Sequence, residues 1–389
     1  MRQSHTWTDK DILFVYLKGK NPYEIGYEQG RLLKTEVESE VEWIKKFFNL
    51  FLTPLFGPLT FRVLECFSKK LSERFSKESI EEIRGMADGS GQKFKTAILA
   101  NTIFDITSKI PNFLNANFCS GFLTYLEKSN EVIMGKNSDV SPQNAELFAN
   151  HKAMIIYDCK WLENKYLTPS YGLALIGDSF IFENGLSIGF MGGGFTYVAR
   201  YDLKKTFFSE LVKRLTRADG NISKTIKILK KQKPMKPFVP IVTDGTKKNS
   251  FAFEVSSSKY QKHHLRKMND CLVQTNHLLC QDLIDDHYRK KYSKDHHYLG
   301  SVWRQKNIEK EVKKITNLKE ATRILEIHEK TMDQNKGSIS NLGTVHSFVY
   351  SAKQKKLLIA NGRKAPVAFS GKWVEFNLDD IFNHKSFSS

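Results

Sequence analysis

The chain has 389 residues, of which 40% are hydrophobic and 26% charged; this is globular composition with enough apolar material for a sizeable core, and it excludes a disordered or fibrous chain. The formal net charge of +18 invites anionic partners, yet the lysines fall in short, separate runs such as Lys204-Lys205, Lys247-Lys248 and Lys353 to Lys356. No zinc-finger, recognition-helix or aromatic RNA-binding signature accompanies them, so a solvated basic surface is favoured over a nucleic-acid patch.

The N-terminal stretch MRQSHTWTDKDILFVYLKGK has no apolar run long enough for a signal peptide, which predicts a soluble, cytoplasmic chain, with a secreted or lysosome-like location left open. Residues 22 to 108 read as successive helices. Glu24 to Phe51 and Ser79 to Met86 carry apolar residues at helical spacing, a turn follows at Asp88 to Gly91, and Lys93 to Thr107 resumes a helix. Trp43 to Phe67 is rich in Phe and Leu but is interrupted by Lys45, Lys46, Pro54, Pro58 and Arg62. That pattern predicts two packed helices and no transmembrane segment, and the apolar character of Phe47 to Phe67 hints at a fatty-acyl substrate. Pro111 to Asn117 is a polar connector.

From Cys119 the period changes to that of strands. Cys119 to Leu126 and Val132 to Lys136 read as a hairpin, followed by strands at Ala153 to Cys159, Leu173 to Ile176, Ser179 to Phe182, Leu186 to Phe190, Phe251 to Val255 and Cys271 to Gln274. Helices are predicted over Leu203 to Leu215, Ile222 to Lys231, Val302 to Lys313 and Leu318 to Lys330. Val345 to Ser351, Lys356 to Ala360 and Trp373 to Phe376 close the chain as strands. Hairpins mixed with helical pairs predict an α+β fold of two stacked sheets flanked by helices.

Five cysteines, Cys66, Cys119, Cys159, Cys271 and Cys280, make a disulfide framework improbable and leave room for one that does chemistry. Cys119 stands where a loop gives way to a strand. A thiol is mostly protonated at neutral pH and needs a base to attack an acyl carbon. A free α-amine on the same residue, with an ordinary pKa near ~8, would serve if the chain were cut between Phe118 and Cys119. The returning strand Met134-Gly135-Lys136-Asn137-Ser138-Asp139 would then bring Asp139 beside that amine and Lys136 beside the thiolate.

The Cys119-Ser120-Gly121-Phe122 and Gly135-Lys136-Asn137-Ser138-Asp139 pair resembles that of the N-terminal-nucleophile acyl amidases, the superfamily of isopenicillin-N acyltransferase, choloylglycine hydrolase, acid ceramidase and N-acylethanolamine acid amidase. Tyr23 to Gly30, Glu82 to Gly89, and Thr275-Asn276-His277 followed by Gly300 to Arg304 resemble further motifs of the penicillin acyltransferase branch. They appear in that family's order from about Pro22 to Pro366. The resemblance implies a four-layer αββα sandwich. It also implies a helical segment, 1–118, that stays bound to the 119–389 portion after self-cleavage, and acyl transfer or hydrolysis at an amide without metal or organic cofactor. It implies Cys119 as nucleophile, Asp139 orienting the amine, Asn276 donating to the oxyanion, and Arg304 as a catalytic-site cation either behind these residues or facing the substrate, supported by Ser301. Lys136, Asn137 and His277 would be supporting residues. Lys136 replaces the family's usual arginine, keeping the charge and losing the planar fork. Where the choloylglycine branch has an asparagine, this chain has Gly192 to Gly194, which points to a backbone N–H as second oxyanion donor.

Each of these residues also has a plain structural reading. Cys119 is a small hydrophobe at a strand start, Asn137 and Asp139 are hairpin residues, and Gly26 and Gly30 are a helix-packing face. His277, His287, His296 and His297 lack zinc-ligand spacing. The rival function is a non-enzymatic, basic, phenylalanine-rich protein that binds membrane lipid or nucleic acid.

Overall fold

The computed structural model describes residues 3–56, 60–102, 105, 119–192, 205–256, 262–284 and 296–383, with side chains described for these apart from 47–56, 60–62, 65 and 334. Two strands, β1 (His5–Asp9) and β2 (Ile12–Gly19), precede the helices α1 (Pro22–Leu32), α2 (Lys34–Phe56), α3 (Thr60–Ser72), α4 (Lys77–Ser90) and α5 (Phe94–Ala100). There follow β3 (Ser120–Leu126), β4 (Glu131–Asp139), α6 (Pro142–Asn150), β5 (Ala153–Cys159), β6 (Tyr166–Ser170), β7 (Ser179–Phe182) and β8 (Ser187–Gly192). Then come α7 (Phe208–Thr216), α8 (Ile222–Lys230), β9 (Phe238–Thr243), β10 (Phe251–Val255), β11 (His263–Lys267) and β12 (Cys271–Gln274). The C-terminal part holds α9 (His296–Val312), α10 (Leu318–Glu326), β13 (Thr344–Ser351), β14 (Lys356–Ala360), α11 (Val367–Ser370), β15 (Trp373–Asn377) and α12 (Leu378–Asn383).

The strands form a nine-stranded sheet, β1-β2-β5-β6-β7-β8-β9-β10-β11, and a six-stranded sheet, β12-β3-β4-β13-β14-β15. Alternation along each strand builds the layers. Phe14, Leu123, Met134, Ile156, Ile241 and Phe348 point into the space between the sheets. Their strand neighbours point outward: Val15 and Ile155 meet Leu211 and Leu215 of α7, and Phe122, Ile133 and Val349 meet Ile308 of α9 and Leu325 of α10. The fold is therefore the αββα arrangement expected. A further cluster unites Val37 and Ile44 of α2, Ile83 of α4 and Leu99 of α5 with Leu173 and Leu175. Among the described residues no helix is long and apolar enough to cross a membrane.

Three expectations are corrected. Segment 1–118 is not wholly helical, because β1 and β2 open it, and β2 pairs in parallel with β5 from Phe14↔Met154 to Gly19↔Cys159. Leu173 to Ile176 is a turn rather than a strand; Leu173 and Leu175 are drawn into the helical cluster, so no sheet face needs them. The turn expected at Asp88 is one more turn of α4, which ends at Gly91 with φ 72°, a left-handed conformation that suits glycine.

Helices α1 and α4 pack backbone to backbone. A Cβ on Gly26 would lie 1.9 Å from the Glu82 carbonyl oxygen, and one on Gly85 would lie 2.1 Å from that of Tyr23. The four-residue glycine spacing is thus a packing device, as its plain reading has it.

Candidate active site

The β3–β4 hairpin pairs Ser120 with Asn137 and Gly121 with Lys136, so Cys119, one residue before the ladder, falls beside Ser138. Cys119 is 4% exposed. Its thiol donates to Asp178 Oδ2 at 3.8 Å. The same oxygen accepts from Lys136 Nζ at 2.7 Å, and Lys136 also donates to Ser138 Oγ at 2.5 Å. Ser138 Oγ and Ser179 Oγ then both donate to Asp178 Oδ1, at 3.0 and 3.2 Å. Strand alternation explains the choice of residues: Lys136 and Ser138 face the site, whereas Asn137 faces the other way. The Asn137 amide donates to the carbonyls of Leu325 and Ile339 at 2.9 and 3.0 Å, which fastens β4 to the end of α10.

Burial pushes the Cys119 thiol up to about 12; the Lys136 ammonium pulls it down, while the Asp178 and Asp139 carboxylates add to the rise. In the uncut chain it is a thiol at neutral pH. Burial likewise raises the Asp139 carboxyl to about 6, against the pull of Arg304 and of a hydrogen bond from Asn341, whose Nδ2 lies 2.6 Å from Asp139 Oδ2. Cys119, Ser138, Asp139 and Asp178 share the wall of a pocket of about 120 Å³, closed by apolar residues that include Phe148, Ile176 and Phe190. Glu40, also on that wall, is raised to about 7 by burial although it accepts the Leu173 N–H.

A second network holds the strand start from behind. Arg304 is fully buried. Its Nη1 donates to the Cys119 carbonyl at 3.0 Å and to Ser120 Oγ at 2.8 Å, and its Nη2 donates to Asn276 Oδ1 at 3.0 Å. Burial lowers the guanidinium to about 10, so it stays charged. Ser301 Oγ accepts the Asn276 N–H at 2.8 Å and meets His277 Nδ1 at 2.8 Å. His277 is pushed down to about 4 by burial and then by Arg304 and Arg266, so it is neutral. One of the two Asn276 side-chain N–H groups donates to the Gly192 carbonyl at 2.9 Å.

The structure thus gathers Cys119, Lys136, Asp139, Asn276, Ser301, His277 and Arg304, and it sends the Asn137 side chain elsewhere. Phe118, Gly193, Gly194 and His287 lie outside the described residues. Among the described residues no three His, Cys, Asp or Glu side chains converge as metal ligands. Sequence reasoning missed Asp178, the carboxylate that joins the thiol to the lysine. It sits in the turn-rich stretch 171–178 with no motif around it, and its only signal was that Lys136 needed a counter-charge.

The sequence model of acyl-coenzyme A:6-aminopenicillanic acid acyl-transferase matches residues 126–366, more than half of the chain. The chain belongs to this family. It is accordingly an enzyme of the acyltransferase and amidohydrolase class, acting on amide bonds, and the non-enzymatic alternative is set aside. No match is found among curated proteins. Among solved structures it is similar to a Caenorhabditis elegans ortholog of N-acylethanolamine-hydrolyzing acid amidase. The identity is 13%, over 60% of this chain and 93% of that one, with a TM-score of 0.44. It is also similar to penicillin V acylase from Agrobacterium tumefaciens (11% identity, 67% of this chain, 86% of that one, TM-score 0.42). A conjugated bile acid hydrolase from Clostridium perfringens matches at 9% identity, over 67% and 93% of the two chains, with a TM-score of 0.36. All three scores lie below 0.5, so membership rests on the sequence match.

Proposed function

We propose that this family member is an autoprocessed amidase or acyltransferase whose nucleophile is Cys119, exposed by cleavage of the Phe118–Cys119 peptide bond. The observation that carries this reading is a buried thiol, at a strand start, on the wall of a pocket it shares with Asp178 and Asp139, with Lys136 paired to Asp178 behind that wall. With its pKa near 12, the thiol cannot ionise unaided. Cleavage takes up one water, leaving a carboxylate on Phe118 and a free amine on Cys119, and that amine, once neutral, takes the thiol proton. The thiolate then attacks the carbonyl carbon of a bound amide, the C–N bond breaks, and the amine leaves with the proton. The thioester passes its acyl group to water or to a second amine.

Residues behind the thiol support these steps. Arg304 fixes the Cys119 carbonyl, so the freed amine would be held by its own residue's backbone. Asp139, at the end of β4, is the charge that orients it. Asn276, held by Arg304 and the Gly192 carbonyl, supplies its second side-chain N–H to the oxyanion, and preorganised donors of this kind are worth about 3 kcal/mol. The apolar walls, Phe148, Ile176 and Phe190, favour an apolar acyl group; of Phe47 to Phe67, the segment that first suggested a fatty one, the side chains of 47–62 and 65 lie outside the described residues.

Intact mass and a denaturing gel test the reading. Two fragments meeting between Phe118 and Cys119, and a single uncut, inactive Cys119→Ala chain, are expected. Amide hydrolysis by Cys119→Ala removes the nucleophile from the mechanism, and an active but uncut wild-type chain removes the self-cleavage.

A further inference from the structure

A second cleft, of about 520 Å³, has a wall that includes Ile12, Lys152, Met154, His346, Ile359 and Arg363. His346 also lines the pocket that contains Cys119. It stands opposite Ser138 on the β4–β13 ladder, beside a register shift between Thr344 and His346. One imidazole therefore separates the catalytic pocket from a second opening.

This partition has an unusual chemical character. His346 is 1% exposed, and neither of its ring nitrogens has a hydrogen-bond partner among the described residues. A buried polar atom left unpaired is costly. Beside it, Lys152 Nζ donates to the carbonyls of Val345 at 2.8 Å and Gly362 at 3.1 Å. An ammonium has three protons to give. No carboxylate pairs with Lys152 among the described residues, although such pairs hold Lys136, Lys165 and Lys213. A cation drawn into the protein without a counter-charge is costly, and burial lowers Lys152 to about 7. Lys152 and Lys136 in turn add to burial in keeping His346 neutral. Asp11, Glu36, His151 and Arg363 complete the charged wall of the cleft, which carries both signs.

We propose that Lys152 and His346 form a binding site for a small carboxylate at the inner end of this cleft. The carboxylate's two oxygens match the remaining ammonium proton and the single N–H of a neutral imidazole, and its charge neutralises Lys152. The site goes beyond the reading of Cys119. Only the source of the guest draws on that reading: it is either an acceptor amine that carries a carboxylate or an acid released by hydrolysis.

Binding is measured first on the full-length Cys119→Ala chain, so that the result does not depend on catalysis or cleavage. Acetate and glycine serve as probes, read by the ring-nitrogen resonances of labelled histidines and by calorimetry. Saturable binding that shifts the His346 resonances is expected, with affinity about tenfold weaker or worse in Lys152→Met and in His346→Phe. His346→Phe keeps an aromatic ring at the partition and stays informative if Lys152→Met does not fold. With the active enzyme, acylation of glycine that is lost in Lys152→Met while hydrolysis persists makes the guest an acceptor. Glycine and acetate binding alike with no acyl-glycine formed makes it a released acid. Both results support the site. No saturable binding of either probe, or unchanged binding in the folded variants, overturns it.

Discussion

Replacing Asp178 by Asn keeps the side chain's shape and removes its charge, so it separates the electrostatic role of this residue from its packing. Lys136 is fully buried, and its ion pair is with Asp178. Without that partner an uncompensated ammonium would stand close to the thiol. Turnover by Asp178→Asn is expected to fall by about 10²-fold, the scale on which a positioned acid–base group acts; a wild-type steady-state rate would remove Asp178 from the site. Asp139→Asn tests the neighbouring carboxylate. A comparable loss of turnover with little loss of stability is expected, and wild-type rates would leave Asp139 a strand-end residue held by Asn341. His277 makes a different prediction, because its role is to stay neutral behind Asn276. Its folded pKa lies near 4 against about 6.5 for an unfolded imidazole. Above the higher value neither state is charged and stability does not depend on this group. As pH falls from 6.5 toward 4 the unfolded chain binds a proton that the folded chain refuses, so stability falls, by up to about 3 kcal/mol. Urea melts at two pH values bracketing 6 read this directly: wild type should lose more stability on acidification than His277→Gln, and equal losses would show that His277 is not the group responsible.

At the scale of elements, the hairpin that carries Cys119 was legible because its alternation is clean and its turn is polar; β3 starts one residue later than expected, and β4 runs beyond its expected range at both ends. The ranges expected for β5, β7, β10, β12 and β14 agree with the structure for the same reason. Other elements hid. β1 and β2 lie in a stretch considered only for signal-peptide character. β9 contains Pro240, which argues against a strand that is paired on both sides. α6 carries the Ser141-Pro142 signature of a helix start that went unused. Asp178 could not be read at all, since nothing local distinguishes it; its importance comes from a lysine 42 positions earlier in the chain. The α1–α4 contact, in contrast, was readable from four-residue glycine spacing, and it yields a sharp test. Adding a methyl group at Gly85 drives a Cβ to 2.1 Å from a backbone oxygen. Gly85→Ala should therefore cost about 1–3 kcal/mol of stability, whereas Ala at Gly91, where a Cβ meets nothing within 4 Å, should cost only the strain of its positive φ. Equal melting shifts for the two variants would contradict the backbone-to-backbone packing.

For the whole molecule, the proposed cut at Cys119 divides the chain without dividing the fold. β2 lies inside the nine-stranded sheet between β1 and β5, and its parallel ladder to β5 joins the two would-be fragments through the middle of a layer. Above that layer Glu82 of α4, itself buried, accepts from Lys213 Nζ of α7 at 2.6 Å, and Lys213 also reaches the Tyr166 hydroxyl at 3.1 Å. Burial raises the Glu82 carboxyl and the lysine opposes that rise, so each charge depends on a partner from across the cut. Breaking one member of such a pair leaves the other buried and alone, at a cost of about 3–5 kcal/mol. Processed protein should therefore run as one species on native size exclusion and separate only in denaturant. Glu82→Gln should lower the denaturant concentration at which the fragments part, while leaving cleavage at Cys119 unchanged, because Glu82 touches neither the thiol nor Arg304. Fragments that separate without denaturant would show that the sheet ladder and the ion pair together do not hold the halves. A Glu82→Gln chain that no longer cuts itself would instead mean that the fit between α4 and α7 reaches the geometry of Cys119.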